Sequence, residues 1–167
     1  MHLPDPCPPD AVHLGVGEGG FFAAPTMVRT VLGSCVAVTL FCPERRMGGI
    51  FHGLLPSWKE YEEATPPGPR SYRYVDSAIE RLVAEFADRG VPPRHLVAKV
   101  YGGANALFQE NISVAGRNVK VALETLARLG VRVAASSVGG SKSRKILFRT
   151  DTGEVTQQLL GGRGGTA

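Results

Sequence analysis

Two apolar runs separated by a short polar break set the pattern of the chain. Val36 to Phe41 is β-branched and apolar, Pro43 to Arg46 is a turn signal, and Met47 to Leu55 is apolar again. This reads as a strand, a tight turn and a returning strand. Cys35 sits at the mouth of the first strand, behind Gly33 and Ser34, and His52 sits in the second. Parity then relates the two. A loop with an even number of residues sets an odd-numbered residue opposite an even-numbered one. Cys35 and His52 would be directly opposed, with Cβ atoms roughly 5 Å apart, or diagonal on the same face at perhaps 7–8 Å. An odd loop would send them to opposite faces.

The other elements follow from period and punctuation. Val12 to Val16 fits a short strand, Gly15 to Gly20 interrupts it, and Phe21 to Val28 has no clear period. Pro56 to Ser71, with four prolines and several charges, reads as a loop. Tyr74 to Arg89 is the clearest helix: Val75, Ile79, Leu82, Val83 and Phe86 recur at three and four, and Gly90 with Pro92-Pro93 stops it. Leu96 to Tyr101 is a strand ended by Gly102-Gly103. Asn118 to Leu129 is a second helix, Val131 to Ala135 a strand, and Lys145 to Arg149 with Glu154 to Leu159 a second hairpin about Asp151-Thr-Gly153. Helices between apolar strands predict sheets covered by helices, an α+β layered architecture with mixed sheets. One domain over 12–160 is expected, with flexible termini at 1–11 (Pro-rich) and 161–167 (Gly-rich).

Composition narrows this only modestly. The 167 residues are 43% hydrophobic and 20% charged, ordinary for a soluble domain. No run of eighteen apolar residues predicts a membrane span, and the first residues lack the pattern of a secretory signal. The cysteines Cys7, Cys35 and Cys42 are odd in number, which suits a reducing cytoplasm better than a disulfide scaffold. The net charge of +4 favours an acidic partner, but no nucleic-acid motif accompanies it. The four histidines, His2, His13, His52 and His95, show no metal-ligand spacing.

Cys35 and His52 are the candidate chemistry. Backbone N–H groups in a turn at Gly33-Ser34 can stabilise a thiolate or an oxyanion, and a histidine within reach can deprotonate the thiol. The bland alternatives are a cysteine serving as a small buried hydrophobe and a histidine satisfied by a carbonyl or water. A ring that acts as a base usually needs a third group to orient it. Thr30, Ser34, Thr39 and Asn105 are the polar candidates. Gly102-Gly103-Ala104 and Gly139-Gly140-Ser141 read singly as tight turns, without dinucleotide-binding spacing.

Taken together, these residues resemble the CheD family of chemoreceptor glutamine deamidases. The resemblance runs over roughly Val12 to Leu159. Its strongest pieces are Leu32-Gly-Ser-Cys-Val-Ala-Val38 and Gly49-Ile-Phe-His-Gly-Leu-Leu-Pro56. Tyr74-Val-Asp76, Ala98-Lys-Val-Tyr-Gly-Gly-Ala104, Gly116-Arg-Asn-Val119, Gly139-Gly140 and Arg144-Lys145 follow in order. The resemblance implies a fold similar to bacterial toxin deamidases. It implies Cys35 as nucleophile, His52 as acid–base and Thr30 as third residue. Gly33 and Ser34 would supply the oxyanion backbone, with Gly102, Gly103 and Asn105 lining the site. It further implies a cytoplasmic enzyme without cofactor or metal that converts receptor glutamines to glutamates, releasing ammonia through a thioester. The expected partners are the cytoplasmic bundle of methyl-accepting receptors and, for many members, the phosphatase CheC; neither nucleic acid nor membrane insertion is implied. A receptor methylesterase-like hydrolase and a non-catalytic adaptor binding receptor or CheC are the alternatives.

Overall fold

The computed structural model describes residues 10–61, 72–105 and 113–161. They order as β1 (Val12–His13), β2 (Gly19–Phe22), β3 (Met27–Leu32), β4 (Val36–Cys42), β5 (Met47–Gly53), α1 (Trp58–Tyr61), α2 (Val75–Asp88), β6 (Val97–Gly102), α3 (Val114–Arg128), β7 (Arg132–Val138), β8 (Arg144–Arg149) and β9 (Val155–Leu159). A 3-10 turn at Pro93–His95 leads into β6. The expectations for the Pro-rich start, the glycine tail and most of the 56–71 loop fall outside the described residues. The described part of that loop carries α1.

Two sheets form. The five-stranded sheet has the order β2-β5-β4-β6-β7, and the four-stranded sheet β1-β3-β8-β9. Both are mixed: β6–β7 and β1–β3 run parallel, and the other pairs antiparallel. Alternation along the strands assigns each face. Val36, Val38, Leu40 and Phe51 join Ile79, Leu82, Phe86, Ala122 and Leu126 in one core, so this face is covered by α2 and α3. Cys35, Ala37, Ile50 and Tyr101 join Leu14, Val28, Leu32, Ile146 and Phe148 in a second core between the sheets. The layering is therefore helices, five-stranded sheet, four-stranded sheet, in agreement with the α+β expectation.

Three placements add to the sequence reading or differ from it. The stretch Phe21 to Val28 holds the end of β2, an edge strand, and the start of β3, an inner strand between β1 and β8; the break between the two strands falls inside the stretch, so the alternation of neither shows in it. Thr30, to which the sequence pattern assigns no element, belongs to β3 in the four-stranded sheet, paired with Ile146. The second helix starts four residues before Asn118, because Ser113 caps it, its side chain accepting from the Gly116 N–H at 3.0 Å. Asn118 is thus in the second turn, on the buried face.

Candidate active site

The hairpin loop between β4 and β5 has the four residues Pro43–Arg46, and Ala37 pairs with His52 while Val36 pairs with Gly53. The loop is even, so Cys35 and His52 share a face. One further step of that register sets Cys35 opposite Leu54, which makes Cys35 and His52 the diagonal pair. Both face the layer between the sheets, where Cys35 is 8% and His52 3% exposed. The His52 backbone is held on its outer side as well: its N–H donates to the Glu18 carbonyl at 2.9 Å, and its carbonyl accepts from Gly17 at 2.8 Å.

Thr30 reaches the ring from the opposite sheet. Its Oγ1 lies 2.7 Å from Nδ1 of His52 and donates to the Leu14 carbonyl at 2.8 Å. A hydroxyl has one proton. With that proton spent on Leu14, Oγ1 can only accept from the ring, so Nδ1 carries the hydrogen and Nε2 is the free base. The side chain that orients the ring is therefore Thr30. Ser34, Thr39 and Asn105, the other polar candidates, show no hydrogen bond to the ring among the described residues.

Between the two sheets the chain passes through Gly33, Ser34 and Cys35, and every carbonyl of that turn is anchored. Gly33 O accepts from the Ala104 N–H and Cys35 O from the Gly103 N–H, both at 2.9 Å. Ser34 O accepts from Nδ2 of Asn118 at 3.1 Å. In a trans peptide the C=O and the following N–H point in opposite directions, so the N–H groups of Ser34 and Cys35 face away from these anchors.

Glycine is required here at Gly102 and not at Gly33. A Cβ on Gly33 would meet only Ser143 Oγ at 4.0 Å, whereas one on Gly102 would stand 2.1 Å from the Cys35 carbonyl oxygen, at φ +115°. Gly102 and Gly103 thus serve as the backing of the cysteine turn. Gly103 and Asn105 also line a cleft of about 200 Å³ with Ser113, Gly116 and Gly140. Its walls include neither Cys35 nor His52. Arg144, which sequence reasoning left unassigned, is buried between the sheets and donates to the carbonyls of Gly102 at 3.1 Å and Gly139 at 2.9 Å. Asn118 was missed too. An amide on the apolar face of an amphipathic helix is the signal that marks it.

Burial sets the protonation of the pair. It pushes the Cys35 thiol up. It lowers His52 to about 4, the nearby His13 adding to the effect and Glu18 opposing it. Both directions favour the uncharged forms. Those forms are a protonated thiol on Cys35 and a neutral imidazole on His52. No group of three or more metal-ligating side chains occurs among the described residues, and no helix among them is long and apolar enough to cross a membrane.

The model of the family described as CheD chemotactic sensory transduction matches residues 54–159. The chain is also 41% identical over 157 residues to the probable chemoreceptor glutamine deamidase CheD of Nitratidesulfovibrio vulgaris, covering 89% of this chain and 77% of that one. The chain belongs to the CheD family. The probable chemoreceptor glutamine deamidase CheD 2 of Geobacter sulfurreducens is 45% identical, with 89% of each chain covered. That of Thermococcus kodakarensis is 35% identical over 89% of this chain and 92% of its own. Among solved structures, Bacillus licheniformis hypothetical protein YfiH gives a TM-score of 0.46 at 14% identity, over 72% of this chain and 50% of that one. The CheD family model begins at Leu54, two residues past His52. In this CheD-family chain the cysteine turn and the Thr30 strand lie N-terminal to that match.

Proposed function

We propose that this chain is a cysteine-dependent protein-glutamine deamidase acting on the cytoplasmic helical bundle of methyl-accepting chemoreceptors. The observation that carries the chemistry is the shared face of Cys35 and His52, with Thr30 fixing the ring so that Nε2 is the base. The observation that carries the substrate is family membership alongside relatives named as chemoreceptor glutamine deamidases.

The reaction follows from these groups. Neutral His52 takes the Cys35 proton as sulfur adds to the side-chain amide carbon of glutamine. The N–H groups of Ser34 and Cys35, facing away from their anchored carbonyls, are the donors for the oxyanion of the tetrahedral intermediate. The imidazolium is stabilised by its Nδ1–H bond to Thr30 and returns its proton to the leaving nitrogen, which departs as ammonia. A thioester to Cys35 remains. Water, deprotonated by neutral His52, hydrolyses it to glutamate and restores the thiol. Gly33, Gly102 and Gly103 act through the backbone frame that holds Cys35, and Asn105 follows that frame with its N–H donating to the Gly140 carbonyl at 2.7 Å. The phosphatase CheC is a further partner on this reading.

The test is the mass of a receptor cytoplasmic fragment incubated with the protein and with Cys35→Ala. The expected result is a gain equal to replacement of an amide NH2 by OH, at defined glutamines, with ammonia released and nothing from the variant. Methanol release in its place would indicate a methylesterase. Receptor binding that survives Cys35→Ala with no mass change by either protein would leave an adaptor.

A further inference from the structure

We infer that Asn118 is a positioning residue that sets the separation of the nucleophile turn from the histidine strand. This rests on the reading of Cys35 and His52 as a nucleophile–base pair.

The β4–β5 ladder ends at Val36 and Gly53, one residue short of Cys35 and one past His52. Beyond that point the two strands part. The Leu54 and Leu55 N–H groups turn to the Arg73 carbonyl, at 2.8 and 3.1 Å, and the Leu55 carbonyl accepts from Val75. On the other side, the cysteine turn is drawn to Gly103 and Ala104. What remains across the gap is a pair of carbonyls, Ser34 O and Leu54 O. Two acceptors cannot bond each other. Asn118, fully buried on α3, enters between them, and its one Nδ2 group donates to both at 3.1 Å.

The assignment of the amide follows from the chemistry. Turning the group over would point Oδ1 at two carbonyl oxygens. Its Oδ1 finds no hydrogen-bond partner among the described residues. An apolar side chain would remove the unsatisfied Oδ1 but would take their shared donor from the Ser34 and Leu54 carbonyls. The two N–H donors therefore hold the ends of the strands together, tying the residue before the nucleophile to the second residue after the base. The opening they span is the end of the sheet at which Cys35 and His52 face each other.

The experiment is a double-mutant cycle read by alkylation of Cys35 with iodoacetamide, so that it does not depend on the receptor. Wild type, His52→Ala, Asn118→Ala and the double variant are compared at neutral pH, in a Cys7→Ser/Cys42→Ala background. Melting curves check that each is folded. Asn118→Ala should slow alkylation by roughly ten- to a hundredfold in the presence of His52. It should change nothing further once His52 is gone, because it acts through the geometry of the pair. Asn118→Ser keeps a single donor and should lie between; it replaces Asn118→Ala in the cycle if that variant does not fold. Equal slowing in both backgrounds, or a folded Asn118→Ala with wild-type reactivity, would overturn the inference. So would a His52→Ala variant that alkylates like wild type, since there would then be no pair to position. A non-additive cycle in a protein that deamidates no receptor would uphold the inference and sink the proposed function instead.

Discussion

The hydroxyl of Thr30 accepts from the His52 ring at 2.7 Å while donating its own proton to the Leu14 carbonyl. One buried side chain thereby fixes both the tautomer and the plane of the base. It does so from a sheet that carries neither His52 nor Cys35. The arrangement of the three residues is therefore a property of how the two sheets pack.

Thr30→Val tests this directly. The change is nearly isosteric, but it leaves the Nδ1–H of His52 and the Leu14 carbonyl unpaired in a buried layer. Loss of about 1–3 kcal/mol of stability is expected. Turnover should fall by roughly a hundredfold or more, as when the group orienting a catalytic histidine is lost. Thr30→Ser keeps both bonds and should retain most of the rate. Denaturant titration and kcat on a receptor fragment measure the two effects; a Thr30→Val enzyme with wild-type kcat would remove Thr30 from the mechanism.

The protonation of the resting pair makes a second prediction. Burial raises Cys35 and lowers His52, so the thiolate is not preformed. Alkylation of Cys35 by a neutral reagent should keep rising with pH past the ordinary thiol range. A plateau beginning below neutral pH would instead reveal an ion pair. With His52 as the neutral base of the proposed reaction, kcat/KM should fall on the acid side only as pH approaches about 4.

The same burial links His52 to stability. Its folded pKa of about 4 lies below the ordinary value of 6.5, so the unfolded chain binds the extra proton first. Stability is then fully present above about pH 6.5 and is lost as pH falls toward 4, by an amount of the order of 3 kcal/mol. His52→Gln should flatten the unfolding free energy over that window relative to wild type. Parallel curves for the two proteins across it would show that other groups carry the acid sensitivity.

The sequence made the hairpin legible because its two strands are contiguous and its loop is even, so local pattern alone brought Cys35 and His52 to one face. The helix over 75–88 was legible for the same reason, six buried residues at regular spacing. Thr30 was legible as a candidate but its location was not. Four residues lie between it and Cys35, and nothing in that interval announces that the chain changes sheets at Gly33-Ser34-Cys35. Asn118 was obscured because the polar residue on the apolar stripe of α3 looked like the start of the helix. The glycine that matters was hidden by distance in sequence: Gly102 backs Cys35 across the β4–β6 pairing of Val36 with Gly102, and only the register shows it.

That glycine gives a contrasting pair of variants. Gly102→Ala places a methyl against the Cys35 carbonyl at a positive φ. It should cost at least about 2 kcal/mol and slow Cys35 alkylation in any fraction that folds. Gly33→Ala meets no atom closer than Ser143 Oγ at 4.0 Å, and its stability should stay within about 0.5 kcal/mol of wild type. Equal melting temperatures for the two variants would contradict the packing of the cysteine turn described above.

Arg144 closes the frame around the same turn. Its guanidinium is buried without a carboxylate partner among the described residues and is satisfied by the Gly102 and Gly139 carbonyls, with Ser137 Oγ at 3.4 Å. Burial lowers its pKa from the ordinary value, but a guanidinium remains charged at neutral pH, and a fork of donors is what two carbonyls on neighbouring segments need. Arg144→Met removes the charge, takes this donor from the Gly139 carbonyl and leaves the Gly102 carbonyl only its bond from the Gly139 N–H, with an expected cost of about 1–3 kcal/mol. Arg144→Lys retains the charge but reaches at most one of them at good geometry, and should recover only part of the loss. Because the Gly102 carbonyl also accepts from the Gly139 N–H at 2.9 Å, amide exchange of Gly139 should quicken in Arg144→Met before global unfolding. Exchange there as slow as in wild type would mean that the guanidinium balances its own burial and stiffens nothing around Cys35.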